Sequence, residues 1–197
     1  MDDKTSGSEA PEPSGARAKG PSRVTKDVYV VRHGHALPRD YWSGPDEDRP
    51  LTDRGRKEAE ALAGRFDTRP LGSRSGKSGV SDLEPRPTVL LSSGAERCLA
   101  TLAPLAVACG LAVETAGYLA EGSDAGEVLV RARELAAGGA VPVLCTHGDV
   151  IWWIIELLEK GGAFLPGPVD VKKGSIWVLE TDAGAIGSAR YIPPAKV

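Results

Sequence analysis

Two histidines in this sequence share the same local setting, because each is followed directly by glycine. They occur in Arg32-His33-Gly34 and in Thr146-His147-Gly148, and Arg97 adds a second guanidinium beside that of Arg32. Guanidinium groups offer forked N–H donors that match phosphate oxygens, and an imidazole can attack phosphorus or donate to a developing negative charge. Together these residue types predict a phosphoryl-transfer pocket.

Glycines and an acid complete the candidate site. Gly34 and Gly148 lack a Cβ, which lets the backbone and a substrate approach closely. Glu121 lies in a loop after the third predicted strand, where it can supply a proton to a leaving oxygen. Asp124 competes for this role, although its place at the start of a predicted helix also suits the helix dipole. Both acids are therefore candidates for the proton donor.

Residues that could contact the rest of a substrate lie outside this central group. They are Arg39, Tyr41, Lys172 and Lys173. Of these, Arg39 is taken as a substrate-binding residue, whereas solvated surface charge is the favoured interpretation of each lysine.

The elements that must position these residues alternate along the chain. Short apolar runs predict strands at 28–31, 89–91, 111–114, 141–145, 175–180 and 185–192. Helical patterns follow Thr52 as a predicted cap, cover 95–109, run from a predicted cap at Ser123 to about 137, and cover 150–160. This alternation predicts an α/β fold, a three-layer α/β/α sandwich with a mainly parallel central sheet, which places ligands at the carboxyl ends of its strands.

Three stretches carry further expectations. Residues 1–25 are predicted to form a disordered N-terminal tail, because the first 23 residues contain no Leu, Ile, Val, Phe, Trp or Tyr, and one domain is predicted over 26–197. Residues 67–87, with several Gly, Pro and Ser, are predicted to be a mobile excursion without chemistry. The helix over 150–160 is apolar at nearly every position, which predicts burial on most sides.

Composition excludes several classes of protein. Lys and Arg number 24 against 27 acids, giving a net charge of −3 and no broad positive field for nucleic acid or anionic lipid. The longest uncharged run, 98–113, is too short to cross a bilayer. The three cysteines, an odd number without C-x-x-C spacing, fit reduced core thiols. We therefore expect a cytoplasmic protein that binds neither nucleic acid nor membrane.

The order of these motifs resembles that of the histidine phosphatase superfamily, also called the phosphoglycerate mutase-like superfamily. The similarity covers 27–180 and rests on Val30–Gly34, Leu51-Thr52-x-x-Gly55, Ser93-x-x-x-Arg97-x-x-x-Thr101, Glu121 and Thr146–Gly148. The short segment before Glu121 leaves no room for a large cap and is similar to the small phosphohistidine-phosphatase branch, so the pocket is expected to be open. Lys173-Gly174-Ser175-x-Trp177-Val178-Leu179 is similar to the phosphatase-like domain that follows a Nudix domain in some actinobacterial proteins.

The resemblance implies a role for each site residue. His33 is the residue that becomes phosphorylated, Arg32, Arg97 and His147 hold the phosphoryl group, and Glu121 is the proton donor. No metal or other cofactor is implied. The implied partners are a small phosphorylated substrate, a nucleotide or a phosphohistidine protein. Because the small branch often lacks the loop acid, Glu121 indicates that oxygen esters or nucleotides are substrates as well.

Two other functions fit part of the same pattern. A metal-dependent hydrolase could use His33, His35 and His147 as ligands, but the two arginines would place cations beside the metal. A module that binds phosphorylated partners without hydrolysing them could keep the same pocket, although no member of the catalytic set is missing. Apart from this alternative, His35 is left out of the site and is interpreted as a solvent-facing loop residue.

Overall fold

The computed structural model describes residues 26–66, 68, 83–182 and 184–197. The predicted tail over 1–25 and most of the predicted excursion over 67–87 lie outside these residues. The strands are β1 (Lys26–Arg32), β2 (Val89–Ser92), β3 (Val113–Thr115), β4 (Pro142–Thr146), β5 (Ile176–Asp182) and β6 (Ala185–Ile192). The helices are α1 (Asp53–Ala63), α2 (Glu96–Cys109), α3 (Ala125–Ala137) and α4 (Gly148–Lys160), with short 3-10 turns at Arg39–Tyr41, Asp46–Asp48 and Gly117–Leu119.

The six described strands form one sheet in the order β3-β2-β4-β1-β5-β6. The first four strands are parallel, and β5 and β6 add antiparallel pairs at one side. Arg32 pairs with Thr146, and Ser92 pairs with Cys145, so β1, β2 and β4 end at the same edge of the sheet. The predicted fold class is confirmed, and this edge is where the candidate site residues follow.

Two core layers cover the two faces of the sheet. Successive side chains of a strand point to opposite faces. Val28 and Val30 accordingly pack in the layer that contains α3 and α4, and Tyr29 and Val31 pack in the layer that contains α1 and α2. The three cysteines are buried, in agreement with their predicted place in the core.

The predicted caps agree with the structure except at α3. Thr52 caps α1 by accepting the Gly55 N–H at 3.2 Å, and Gly110 ends α2 with φ 63°. The cap of α3 is Asp124, which accepts the Gly126 N–H at 2.8 Å, and not Ser123 as predicted. Ser123 instead donates its hydroxyl to the carbonyl of Gly117 at 3.3 Å, in the 3-10 turn that precedes it by a few residues.

The prediction that α4 is buried on most sides is wrong. Its side chains at Trp152 and Trp153 are 49% and 55% exposed. A helix on one face of a layered sheet buries a single stripe, and apolar residues outside that stripe face solvent. The buried stripe of α4 consists of Val150, Ile151, Ile154, Ile155 and Leu158. None of the helices among the described residues has the length and hydrophobicity that a bilayer span requires.

Candidate active site

A cavity of about 320 Å³ opens at the edge where β1, β2 and β4 end. Its lining consists of Arg32, His33, Pro38, Arg39, Arg49, Arg97, Glu121, His147, Gly148, Asp149 and Lys173. The structure therefore brings together every predicted site residue except Gly34. Five of the lining side chains are cationic and two are carboxylates, which gives the cavity a strong preference for anions.

His33 is buried at the end of β1, with 5% of its surface exposed. Its Nδ1 lies 2.8 Å from the carbonyl oxygen of Gly34. Because a carbonyl can only accept, Nδ1 carries the proton and Nε2 keeps its lone pair. Burial lowers the pKa of His33 to about 3, and the charges of Arg97 and Arg32 lower it as well. The ring is therefore neutral at ordinary pH, with the lone pair of Nε2 available.

Gly34 lies beneath the cavity and not in its wall. Its N–H donates to Thr101 Oγ1 at 2.9 Å, and a Cβ at this position would stand 3.0 Å from the carbonyl oxygen of Gly55. A Cβ on Gly55 would stand only 2.1 Å from the carbonyl oxygen of His35. The close approach predicted for Gly34 therefore exists, but it is to the start of α1, and the prediction that Gly34 contacts the substrate is not supported.

Arg32 and Gly148 form one side of the cavity. A Cβ on Gly148 would lie 2.7 Å from Cζ of Arg32, so the glycine is required by the guanidinium. Arg32 donates through Nη1 to the carbonyl of Val171, and its buried Nε has no hydrogen-bond partner among the described residues. Burial lowers the pKa of Arg32, while the charge of Asp149 opposes that shift.

Arg97 forms a second side of the cavity and is surrounded by carboxylates. It is 2% exposed, and its two terminal nitrogens bond Glu121 Oε2 at 2.8 Å and Asp46 Oδ2 at 3.0 Å. The other oxygen of Asp46 lies 2.9 Å from Arg49 Nε and 3.2 Å from Arg39 Nε. Burial raises the pKa of Asp46, but these three arginines lower it below its ordinary value. One carboxylate therefore bridges three arginines that line the cavity.

Glu121 bridges two of these arginines, Arg39 and Arg97. Its Oε1 lies 3.2 Å from Arg39 Nη2, and its Oε2 contacts Arg97. The side chain is 47% exposed and borders the cavity, whereas Asp124 is occupied as the cap of α3. The loop that carries Glu121 is held by Asp149, which accepts the Gly122 N–H at 2.8 Å. The geometry favours Glu121 over Asp124 as the acid.

His147 faces His33 across the cavity, with ring centroids 5.4 Å apart. Its Nδ1 lies 3.3 Å from Arg97 Nη2, and its Nε2 lies 2.9 Å from Ser93 Oγ. A guanidinium can only donate, so Nδ1 accepts and Nε2 carries the proton. Ser93 and Arg97 thus orient this ring through both nitrogens.

Comparisons with known proteins agree with this geometry. A model of the histidine phosphatase superfamily (branch 1) matches residues 28–128, just over half of the chain. The chain belongs to the histidine phosphatase superfamily. The resemblance inferred from the five motifs is confirmed.

Individual relatives of this histidine phosphatase add detail. It is 33% identical over 173 residues to the 8-oxo-(d)GTP phosphatase of Mycolicibacterium smegmatis, an alignment that covers 86% of this chain and 49% of that protein. The chain thus spans about half the length of this curated relative. It shares its fold with the protein histidine phosphatase SixA complexed with tungstate, at 22% identity, TM-score 0.60, and 85% and 95% coverage of the two chains. The mycobacterial glucosyl-3-phosphoglycerate phosphatase complexed with VO3 is similar at 19% identity, TM-score 0.52, and 85% and 96% coverage.

His35 of this histidine phosphatase lies apart from the cavity. Its N–H donates to Glu58 Oε2 at 2.8 Å, and its Nδ1 lies 2.9 Å from Thr52 Oγ1. It is half-buried against α1, so the prediction of a solvent-facing residue is wrong. Within the described part of the chain, no three His, Cys, Asp or Glu side chains are arranged to hold a metal ion. The ligand set of the metal-dependent alternative, His33 with His35 and His147, does not converge.

Four residues in or beside the cavity were missed or undervalued by sequence reasoning. Asp46, Arg49 and Asp149 belong to no local motif, and the contacts of Asp46 with Arg97 and of Asp149 with Gly122 join positions distant in the sequence. The surface interpretation is confirmed for Lys172, which pairs with Asp170 at 3.0 Å, but it is wrong for Lys173, which lines the cavity. The signal for Lys173 was the glycine after it, since Gly174 has φ 74° and donates its N–H to the carbonyls of Arg32 and His33.

Proposed function

We propose that this histidine phosphatase hydrolyses phosphomonoesters, including nucleotides, through a phosphohistidine on His33 and without a metal or other cofactor. The observation that carries the proposal is the hydrogen bond between His33 Nδ1 and the Gly34 carbonyl, at 2.8 Å. It holds the proton on one nitrogen and keeps the other free to attack in a cavity rich in cations. The name of the 33% identical relative supports including nucleotides among the substrates.

The first half-reaction transfers the phosphoryl group to the protein. His33 Nε2 forms a bond to phosphorus, and the bond from phosphorus to the ester oxygen breaks. Arg32, Arg97 and His147 stabilise the charge on the phosphoryl oxygens, and Glu121 in its acid form protonates the departing oxygen. The products are an alcohol and phosphohistidine.

The second half-reaction returns the protein to its starting state. Water attacks phosphorus while the Glu121 carboxylate takes one of its protons, and the bond between phosphorus and His33 Nε2 breaks. The sum is an ester plus water giving an alcohol plus phosphate, with His33 and Glu121 regenerated.

Substrate binding prepares Glu121 for this role. Both of its carboxylate oxygens accept from arginines, Oε1 from Arg39 and Oε2 from Arg97. Phosphoryl oxygens compete for the same N–H groups of Arg97. When they replace Glu121 there, its carboxyl group is released from Arg97 and can face the leaving oxygen.

The extent and location of this activity are part of the same proposal. Residues 26–197 act as one phosphatase domain, supported by the single sheet that all six described strands share. The three cysteines are all buried and lack C-x-x-C spacing, which supports a reducing compartment such as the cytoplasm.

The decisive experiment compares His33→Ala with His35→Ala, a histidine variant outside the cavity. Activity is measured on p-nitrophenyl phosphate, nucleoside monophosphates and phosphohistidine, with thermal unfolding as the folding control. We expect His33→Ala to lose at least about 10³-fold in kcat while His35→Ala keeps most of the activity. Acid-labile radioactive phosphate should accumulate on the wild type and on His35→Ala only.

Other outcomes select the competing functions. Loss of activity in chelator, restored by zinc or manganese, would establish a metal-dependent hydrolase. Tight binding of phosphate by calorimetry together with no turnover of any substrate would establish a binding module. Vanadate, which resembles five-coordinate phosphorus, should inhibit the proposed enzyme with chelator present.

A further inference from the structure

One cation of the cavity, Lys173, has no acid bonded to it. Arg39, Arg49 and Arg97 share the carboxylate of Asp46. Among the described residues, no hydrogen bond or ion pair joins the Lys173 ammonium to any acceptor. The carboxylate of Glu58 acts on Lys173 electrostatically, but its oxygens are already bonded to the His35 N–H and to Arg54.

Lys173 is held in place by the same backbone that carries the nucleophile. The N–H of Gly174 donates to the carbonyls of Arg32 at 3.2 Å and His33 at 3.1 Å, and the Arg32 N–H donates to the Ser175 carbonyl at 3.0 Å. The side chain is half-buried, and burial together with the charges of Arg32 and Arg49 lowers its pKa. A cation crowded by other cations in this way gains from any anion that enters.

A single phosphoryl group bound in the cavity would not neutralise the charge of the Lys173 ammonium. In the proposed mechanism the transferred phosphoryl group lies between Arg32 and Arg97, and Asp149 lies on the Arg32 side with its carboxylate bonded to Gly122. Lys173 is then the cation next to Arg32 that remains without a partner. An ammonium group binds phosphate as a compact point charge with three donors, so a second phosphate is a group that Lys173 can hold.

We propose that Lys173 binds a second phosphate of the substrate, adjacent to the phosphoryl group that is transferred, so that the enzyme prefers compounds ending in a diphosphate over simple monoesters. This inference rests on the proposed function, because the position of the first phosphoryl group comes from it. It assigns Lys173 as the residue that determines specificity between mono- and diphosphates.

The test measures binding, which requires no turnover. Methylenediphosphonate, a diphosphate analogue with a stable P–C–P link, and methylphosphonate are titrated into the full chain by calorimetry. The variants are Lys173→Gln and, as a matched control, Lys172→Gln on the neighbouring exposed lysine. We expect Lys173→Gln to lower the preference for the diphosphonate about tenfold, the typical effect of one lost charge-assisted hydrogen bond. Lys172→Gln should keep the wild-type preference. Lys173→Arg, which keeps the positive charge, should retain most of that preference.

An activity measurement separates this inference from the proposed function. The ratio of kcat/KM for a nucleoside diphosphate to that for the monophosphate should fall about tenfold in Lys173→Gln. Hydrolysis by the wild type with an unchanged ratio in the variant would overturn the role of Lys173 and leave the phosphatase proposal standing. If the preference for the diphosphonate depended on Lys173 but no substrate were hydrolysed, the role of Lys173 would stand and the phosphatase proposal would be overturned. Tighter binding of phosphoglycolate than of the diphosphonate would assign the second group as a carboxylate and overturn the inference.

Discussion

The two sides of the cavity hold their arginines by different means. On one side, which we call the Arg97 wall, Arg97 bonds the carboxylates of Asp46 and Glu121. On the other, the Arg32 wall, Arg32 bonds the neutral carbonyl of Val171, packs against Gly148 and lies beside the turn that carries Lys173. The Arg97 wall therefore has its charge compensated before a substrate arrives, and the Arg32 wall does not.

This difference follows from burial and has a consequence for binding. Arg97 is 2% exposed, and a guanidinium buried so deeply without a counter-charge would cost several kcal/mol. In the proposed mechanism a phosphoryl group therefore displaces a carboxylate at the Arg97 wall, whereas at the Arg32 wall it adds an anion where none is bonded. The first process is an exchange that frees Glu121, and the second supplies net attraction.

The largest expected effect removes the acid of the Arg97 wall. Glu121→Gln cannot donate a proton, so hydrolysis of nucleoside monophosphates, which have poor leaving groups, should slow by about 10²–10⁴. Hydrolysis of p-nitrophenyl phosphate, whose leaving group needs no proton, should change far less, and its KM should fall because a neutral amide competes weakly for Arg97. Steady-state kinetics on both substrates measures this selectivity.

Asp124→Asn serves as the control for this variant, since Asp124 caps α3 and does not line the cavity. It should leave the ratio of the two substrates at the wild-type value. An equal loss on both substrates in Glu121→Gln would show that this residue shapes the cavity and transfers no proton.

The next effect concerns the Arg32 wall. In Gly148→Ala the new methyl group would stand 2.7 Å from Arg32 Cζ, so the guanidinium must move. Loss of one preorganised charged donor should lower kcat/KM by about 10²–10³ on every substrate, irrespective of its leaving group. Gly94, beside the Arg97 wall, is the matched position, because a Cβ there meets no atom within 4 Å.

Gly94→Ala should stay within about twofold of the wild type, as a surface substitution without new contacts does. Wild-type kinetics in Gly148→Ala would mean that the orientation of Arg32 is unimportant. The two walls would then no longer be distinguished by their function.

A smaller effect tests the charge state of His33, which lies between the walls. Its pKa is lowered to about 3 in the folded protein, whereas an unfolded histidine takes up a proton near 6.5. Between about pH 6.5 and pH 3 the unfolded state therefore binds a proton that folded His33 does not. The free energy of unfolding decreases as the pH falls through this range. Between pH 7 and pH 5 the wild type should lose about 2 kcal/mol more free energy of unfolding than His33→Ala. Urea denaturation at the two pH values provides the measurement, and parallel pH dependence in both proteins would contradict a neutral His33.

Much of the fold was accessible from local patterns. The alternation of apolar runs with helical segments identified all six described strands and four helices, and Thr52 and Gly110 marked the ends of two of these helices. The failures were cases in which tertiary context decided. Asp124 replaced Ser123 as the cap because Ser123 is bonded to Gly117, and α4 exposes Trp152 and Trp153 because only one face of a layered helix meets the sheet.

In the candidate site, too, some residues were predictable from local patterns and others depended on tertiary contacts. Residues that follow strand ends, such as His33 and His147, could be placed because parallel strands end at a common edge. The partners that orient them could not, because Asp46 meets Arg97 across 51 positions of the chain without any periodic pattern. His35 shows the same limit, since its contact with Thr52 depends on how α1 packs against the end of β1.

The contact between Gly34 and Gly55 has a consequence for redesign of this protein. A Cβ on Gly34 would meet the carbonyl oxygen of Gly55, and a Cβ on Gly55 would meet that of His35, so in both cases the obstacle is a backbone atom that no change of rotamer removes. Substituting both glycines would add one clash to the other and not relieve either. A library aimed at stability should therefore keep Gly34 and Gly55 and vary side chains of the two core layers.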